Sequence, residues 1–219
     1  MKMAKSVLAA ALACLVGACF NGSSIKGSGT IKSESRSVSD FTGIEVSGNA
    51  KLIVEQGERE DLAIAADDNL LQYLTSDVEG STLKLGTKGP TIIQPTAPIT
   101  YTLSVKHLKT LGASGSVIVD AKGIRTDSLT VAVSGTGDIS ISGEADAQKI
   151  AVSGTADYKA EGFKTKDTSI SISGSGKAVI AVSNRLDVEV SGAGDVRYIG
   201  DPTVTKNISG SGSVEAWKP

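Results

Sequence analysis

A short glycine corner recurs along the second half of the chain and limits what that half can become. Six segments share one pattern: an apolar residue, a run of small residues, then renewed alternation of apolar and polar side chains. They begin at Leu111, Val133, Val152, Ile172, Val190 and Ile208, as in Val133-Ser-Gly-Thr-Gly-Asp-Ile and Ile208-Ser-Gly-Ser-Gly-Ser-Val. The spacings are 22, 19, 20, 18 and 18 residues, and Val46-Ser-Gly-Asn-Ala-Lys-Leu is an earlier relative. Between corners the local period is two. Leu129, Val131 and Val133 fall on one side, while Thr130, Ala132 and Ser134 fall on the other. Period two means strand. A unit of about twenty residues cannot bury its apolar side alone, so the units must stack. The chain is therefore predicted to be all-β, a β-helix-like solenoid of stacked coils of about 18–22 residues. At a strand spacing of about 4.8 Å, six or seven coils make a rod roughly 30 Å long.

Composition agrees with thin β layers. Aromatic residues are only 4% of the chain, so the core must come from Val, Ile, Leu and Ala. Glycine at a corner permits positive φ and close approach of neighbouring coils. Ser and Thr beside it can satisfy local backbone groups. The corner is not a phosphate loop, because no Gly-x-x-x-x-Gly-Lys-Ser/Thr run exists in the chain.

The N-terminal half reads as β with a less regular rhythm. Residues 30–37, 43–46, 50–55, 62–66 and 82–85 are strand candidates. The run from Asp67 to Thr75 is the one expected helical turn, with Asp67 or Asp68 as its cap and Leu70, Leu71 and Leu74 burying one side. Residues 89–98 hold Pro90, Pro95 and Pro98 and are expected to form a loop. That loop projects from a single domain spanning 30–217 and marks where the domain would subdivide.

The first residues read as an address. Lys2 and Lys5 precede an apolar run from Val7 to Val16, too short as a helix to span a bilayer. This is the pattern of a secretory signal peptide, residues 1–18. Leu15-Val16-Gly17-Ala18-Cys19 resembles the lipobox of bacterial lipoproteins, and Ala11-Leu12-Ala13 before Cys14 matches it less well. The resemblance implies cleavage before Cys19 and lipid on its sulfur, with no thiol left for a disulfide. It leaves 20 basic against 24 acidic side chains in the mature chain. Phe20, where an aspartate would signal retention at the inner membrane, implies the outer membrane. Residues 19–29, rich in Gly and Ser, are expected to be a flexible tether.

The body resembles a known family. Asp40-Phe-Thr-Gly-Ile-Glu-Val-Ser-Gly-Asn-Ala, then Leu52-Ile-Val-Glu-Gln-Gly, Ala66-Asp-Asp-Asn-Leu-Leu and Gly80-Ser-Thr-Leu-Lys-Leu are similar to the bacterial head GIN domain family. The later Ser-Gly-x-Gly corners match it too, and the resemblance covers most of residues 28–217. It implies a β-helix-like fold on a secreted or lipid-anchored envelope protein, with adhesion as the suggested role. It carries over no catalytic residues.

Candidate chemistry is sparse. His107 is the single histidine, and without it no Ser–His or Cys–His nucleophile can be assembled. Arg125, Arg185 and Arg197 are the only arginines of the repeat half. Asp61, Asp67 and Asp68 cluster beside the expected turn. Asp138, Asp157 and Asp195 recur just past the corners and are the one metal candidate, for Ca²⁺ held between stacked coils. Lys177 interrupts that series, and the alternative is a solvated corner. A net charge of −2 argues against nucleic acid as a partner. Trp217, the only tryptophan, is expected to plug the C-terminal end of the core. No catalytic residue and no cofactor is assigned. The expectation is a non-catalytic envelope lipoprotein whose partners are a membrane through Cys19, a glycan or envelope protein, and a second copy through an open edge. The alternatives are a self-assembling structural module and a polysaccharide-active β-helix enzyme.

Overall fold

The computed structural model describes residues 24–218. The signal peptide, Cys14, Cys19, Phe20 and Pro219 lie outside the described residues. In chain order the strands are β1 (Ile25–Lys26), β2 (Ile31–Arg36), β3 (Gly43–Gln56), β4 (Asp61–Asp67), β5 (Leu74–Glu79), β6 (Thr82–Thr87), β7 (Ile93–Gln94), β8 (Ile99–Val105), β9 (Thr110–Ile199), β10 (Thr203–Gly210) and β11 (Ser213–Ala216). A single 3-10 turn, Leu71–Tyr73, separates β4 from β5, and there is no α-helix among the described residues.

The repeats stack in parallel. β10 lies on β9 with Thr203 opposite Arg185 and Gly210 opposite Gly192, one 18-residue repeat apart. β3 pairs with the first coil of β9, Gly48 opposite Gly115. The corner glycines form one column through the stack. A Cβ on Gly115 would sit 2.6 Å from the Gly48 carbonyl oxygen, and Gly135, Gly154, Gly174, Gly192 and Gly210 would each meet the carbonyl of the glycine one coil earlier. These corners have φ between +93° and +140°, a region closed to side chains. The strands differ from the sequence expectation in length. Alternation broken by corners predicts short strands, yet β9 stays paired for 90 residues. Glycine lets the backbone turn while its neighbours keep register with the coil before.

The alternation does what the pattern required. Leu129, Val131, Val133, Ile139 and Ile141 are buried, and the alternate residues Ala132, Ser134, Asp138 and Ser140 face out. One apolar cluster runs from Val38 to Val196. Polar side chains inside it are paired: Gln148 Nε2 donates to Tyr158 Oη at 2.6 Å, and the Thr165 hydroxyl lies 2.7 Å from that of Thr168 and donates to the Ala181 carbonyl at 3.0 Å. Burial without water makes such pairing necessary. Where the first coils lack a strand partner, the Gln56 amide takes its place. Its Nε2 donates to the carbonyls of Lys106 and Arg125, and its Oε1 accepts from Arg125 N–H.

The N-terminal half covers one end of the stack. Beyond β3 lie β8 and β6, both parallel to it. Antiparallel β4 then covers β8, β2 covers β4, and β5 covers β6. The sequence pattern carries the helical turn as far as Thr75, whereas β5 begins at Leu74. The expected cap is also corrected. Leu70 caps the 3-10 turn without any side-chain bond. Asp67, the last residue of β4, instead accepts from Gly29 N–H at 2.8 Å, Thr96 N–H at 3.0 Å and the Thr96 hydroxyl at 2.7 Å. Leu70, Leu71 and Leu74 are buried as expected. The segments that the sequence assigns to tether and loop are held together here. β1 pairs with β7 in parallel, Ile25 opposite Ile93, and Ser28 N–H donates to Asn69 Oδ1. The tether expectation therefore fails for residues 25–29.

Candidate functional site

Three outward faces stand out, because the same register that buries Val and Ile exposes columns of the alternate residues. Ser47 lies opposite Ser114, and Ser209 opposite Ser191. With Ser134, Ser153 and Ser173 they form an exposed hydroxyl column just before the corner. Beside it run the small residues Gly112, Ala132, Ala151 and Ser171. The β5–β6 hairpin walls this face at one end through Thr75, Lys84 and Thr87, giving an open groove of about 670 Å³.

Past the corner lies a second column. Lys51 is opposite Ile118, and Ser213 is opposite Asp195. Counting from the stacked glycines, Asp138, Asp157 and Lys177 occupy the rungs between. The structure thus brings the sequence-predicted aspartates into one line, but not into a cage. Lys159 Nζ bonds both carboxylate oxygens of Asp138, at 2.9 and 3.1 Å. Asp195 accepts from the Ser213 hydroxyl at 2.9 Å. Lysine holds the rung between Asp157 and Asp195. No group of three or more metal-ligating side chains occurs among the described residues. A divalent cation here would displace an ammonium already paired with the carboxylate.

A third face is concave and charged, about 840 Å³. Arg125 Nη1 lies 3.6 Å from Glu144 Oε1, and Lys166 Nζ lies 2.6 Å from Asp146 Oδ1. Asn184 donates to Asp167 at 2.7 Å. These partners sit on adjacent coils, so the two ion pairs tie coil to coil and cancel charge locally.

The shifted titrations belong to fastenings or to burial in the core. The hydrogen bond and charge of Asp146 raise Lys166, Asp138 does the same for Lys159, and Glu79 for Lys84. Burial raises Tyr158 and pushes Tyr101 up to about 12. Hydrogen bonds from Thr96 and Gly29 lower Asp67, and the Ser28 hydroxyl lowers Asp68. Each shift moves a group away from neutral pH, opposite to what general acid–base chemistry needs. His107 is exposed in the turn between β8 and β9. Asp61 is exposed, so the Asp61, Asp67 and Asp68 cluster divides into one surface acid and two that hold the N-terminal segment. Sequence reasoning missed that holding role. Its signal would have been two acids ending a strand with Ser and Gly upstream, too common a pattern to interpret alone.

Trp217 does not plug the core. Its backbone N–H continues the ladder onto the Tyr198 carbonyl at 2.7 Å, and its side chain is half-buried. No helix among the described residues is long and apolar enough to cross a membrane.

Comparison with known proteins gives the fold a context. Residues 40–202 match the family model described as "Putative auto-transporter adhesin, head GIN domain". Among solved structures, a "putative adhesin" from Bacteroides fragilis is similar over 88% of this chain and 98% of its own, at 20% identity and TM-score 0.68. One from Parabacteroides distasonis covers 89% and 100%, at 23% identity and TM-score 0.56. A "putative lipid binding protein" from the same species covers 90% and 100%, at 24% identity and TM-score 0.53. At such identities the likeness is one of fold. No curated protein matches the chain.

Proposed function

The chain belongs to the head GIN domain family, and from that premise we propose that it is a non-catalytic envelope lipoprotein whose stacked faces serve adhesion. Cys19 carries the lipid, residues 1–18 are removed, and Phe20 directs the protein to the outer membrane. The observation that carries the reading is the form of the surface. Hydroxyls, small residues and internally paired charges repeat rung by rung on open faces, which suits many weak contacts with a repeating partner such as a glycan or an envelope protein. The family description names adhesins, and one neighbour of like fold is named for lipid binding.

The test uses the lipidated full chain, immobilised by its anchor and presented with a panel of envelope polysaccharides. Binding without chain cleavage is the expected result, weakened when Ser134, Ser153 and Ser173 are replaced together by Lys. Turnover of any glycan at an enzyme-like rate would refute the reading and favour a polysaccharide-active enzyme. Filaments formed without lipid or ligand would replace it with a self-assembling module.

A further inference from the structure

A lipid on Cys19, as in the proposed function, would tether one end of the stack, and the orientation inferred from the strand order rests on that tether. The order of strands in the main sheet is β10-β9-β3-β8-β4-β2, which places β10 and β2 at opposite edges. The chain enters the domain at the β2 edge. Ile25 N–H donates to the Ile92 carbonyl at 2.9 Å, Ser28 donates to Asp68, and Gly29 to Asp67. What lies between anchor and domain is therefore the six-residue step from Cys19 to Ile25, which reaches about 20 Å at most. A leash that short, fixed at one end of a stack roughly 30 Å long, sets which end meets the membrane.

The surface at that point is suited to the meeting. Large exposed hydrophobic side chains are only three among the described residues, and two of them are here: Ile31, 51% exposed, and Ile92, 53% exposed. Ile31 is paired with Asp67, whose carboxylate also holds Thr96, four residues from Ile92. Lys26 and Lys88 are exposed beside them. Of the nearby acids, Asp67 is engaged inside the fold, Asp68 with Lys32 Nζ at 3.4 Å and Glu34 with Arg36, while the exposed Asp77 shares a surface pocket with Lys88. Apolar tips with exposed lysines nearby fit an interface of acyl chains and anionic headgroups.

We propose that Ile31, Ile92, Lys26 and Lys88 form a membrane-seating face that lies on the phospholipid bilayer, with the open C-terminal coil directed away from it. The chain supplies its own reporter, since Trp217 is its only tryptophan and lies at the far end. The full chain is expressed with its leader, the Cys19 peptide is weighed by mass spectrometry, and the protein is reconstituted in vesicles containing anionic and acyl-brominated phospholipids. The native Trp217 emission is expected to persist. In the Ile92→Trp, Trp217→Phe variant most of the emission is expected to be lost, and an added Ile31→Glu change should restore it. Circular dichroism checks that each variant keeps its β fold. A lipidated protein whose Ile92→Trp signal persists overturns the seating face and leaves that surface to a macromolecular partner. Loss of the Trp217 signal overturns it too, because the stack would then lie flat. If Cys19 carries no lipid, the anchoring reading fails separately. The thiol, in a Cys14→Ala background, is then coupled to a maleimide-bearing phospholipid and the same pair of signals decides the face.

Discussion

The two ends of the stack treat the same problem in opposite ways. A terminal coil exposes both an apolar rim and a row of unpaired backbone groups. At the N-terminal end, antiparallel strands and the 3-10 turn are laid over the rim, and Phe41, Leu62, Ile64 and Leu70 are buried beneath them. At the C-terminal end no further strand among the described residues is laid over it. Val204, Ile208 and Val214 are only partly buried against the core. Register places Lys206 opposite Val188, at a position where every earlier coil turns a core residue inward, and Lys206 is exposed. A charge at a core register position on an edge strand would make stacking of another copy costly. One end is closed by added structure, the other by a single unsuitable side chain.

The corner column turns this contrast into a graded series. Gly154→Ala places a methyl against the Gly135 carbonyl at φ +132° with coils on both sides, and is expected to cost about 3–5 kcal/mol. The same change at Gly210 meets the Gly192 carbonyl but can fray one terminal coil, so about 1–2 kcal/mol is expected. At Gly48 a Cβ meets nothing within 4 Å, leaving only the backbone term, about 1 kcal/mol. Urea unfolding of the three variants checks the order, and equal costs at all three would break the stacking account. Phe41→Ala should cost about 3–5 kcal/mol by opening the closed end. Hydrogen exchange should show its effect concentrated in β2, β4 and β8, with β10 unchanged.

Smaller effects separate the ends further. The Asp67 carboxyl is held low by Thr96 and Gly29. Its contribution is complete above the unfolded value of about 3.9 and is lost as pH falls through the lowered native value. Exchange at the Gly29 and Thr96 amides should therefore stay slow at neutral pH and rise only in strong acid, together with release of Ser28 from Asp68. In Asp67→Asn it should be fast throughout. Lys206→Val should have the least effect on stability, but it removes the charge from the open edge. Sedimentation should then show end-to-end association absent from the parent chain, and an unchanged monomer would mean the edge is closed some other way.

Much of the stack was legible because its rule is local and repeated. Alternation named Val131, Val133, Ile139 and Ile141 as core, and the Ser-Gly corner announced that coils come close. The N-terminal end was less legible for a physical reason. β1 and β7 are two residues each, too short to show any period, and each exists only because the other is beside it. Leu74–Glu79 alternates weakly and becomes a strand by pairing with β6. The site followed the same division: the aspartates past the corners were found, but Lys159 binding Asp138 from the next coil depends on register.

The sequence by itself determined the β period, the repeat length and the need for glycine where the chain turns, since these rest on sterics and burial within a coil or against its neighbour. Only the tertiary structure decided which groups close each end. Asp67 fastening Gly29 to Thr96, Gln56 standing in for a missing strand, and Lys206 at a core position join residues far apart in the chain or depend on coil register. Their partners are chosen by folding the whole stack, and no local pattern encodes that choice.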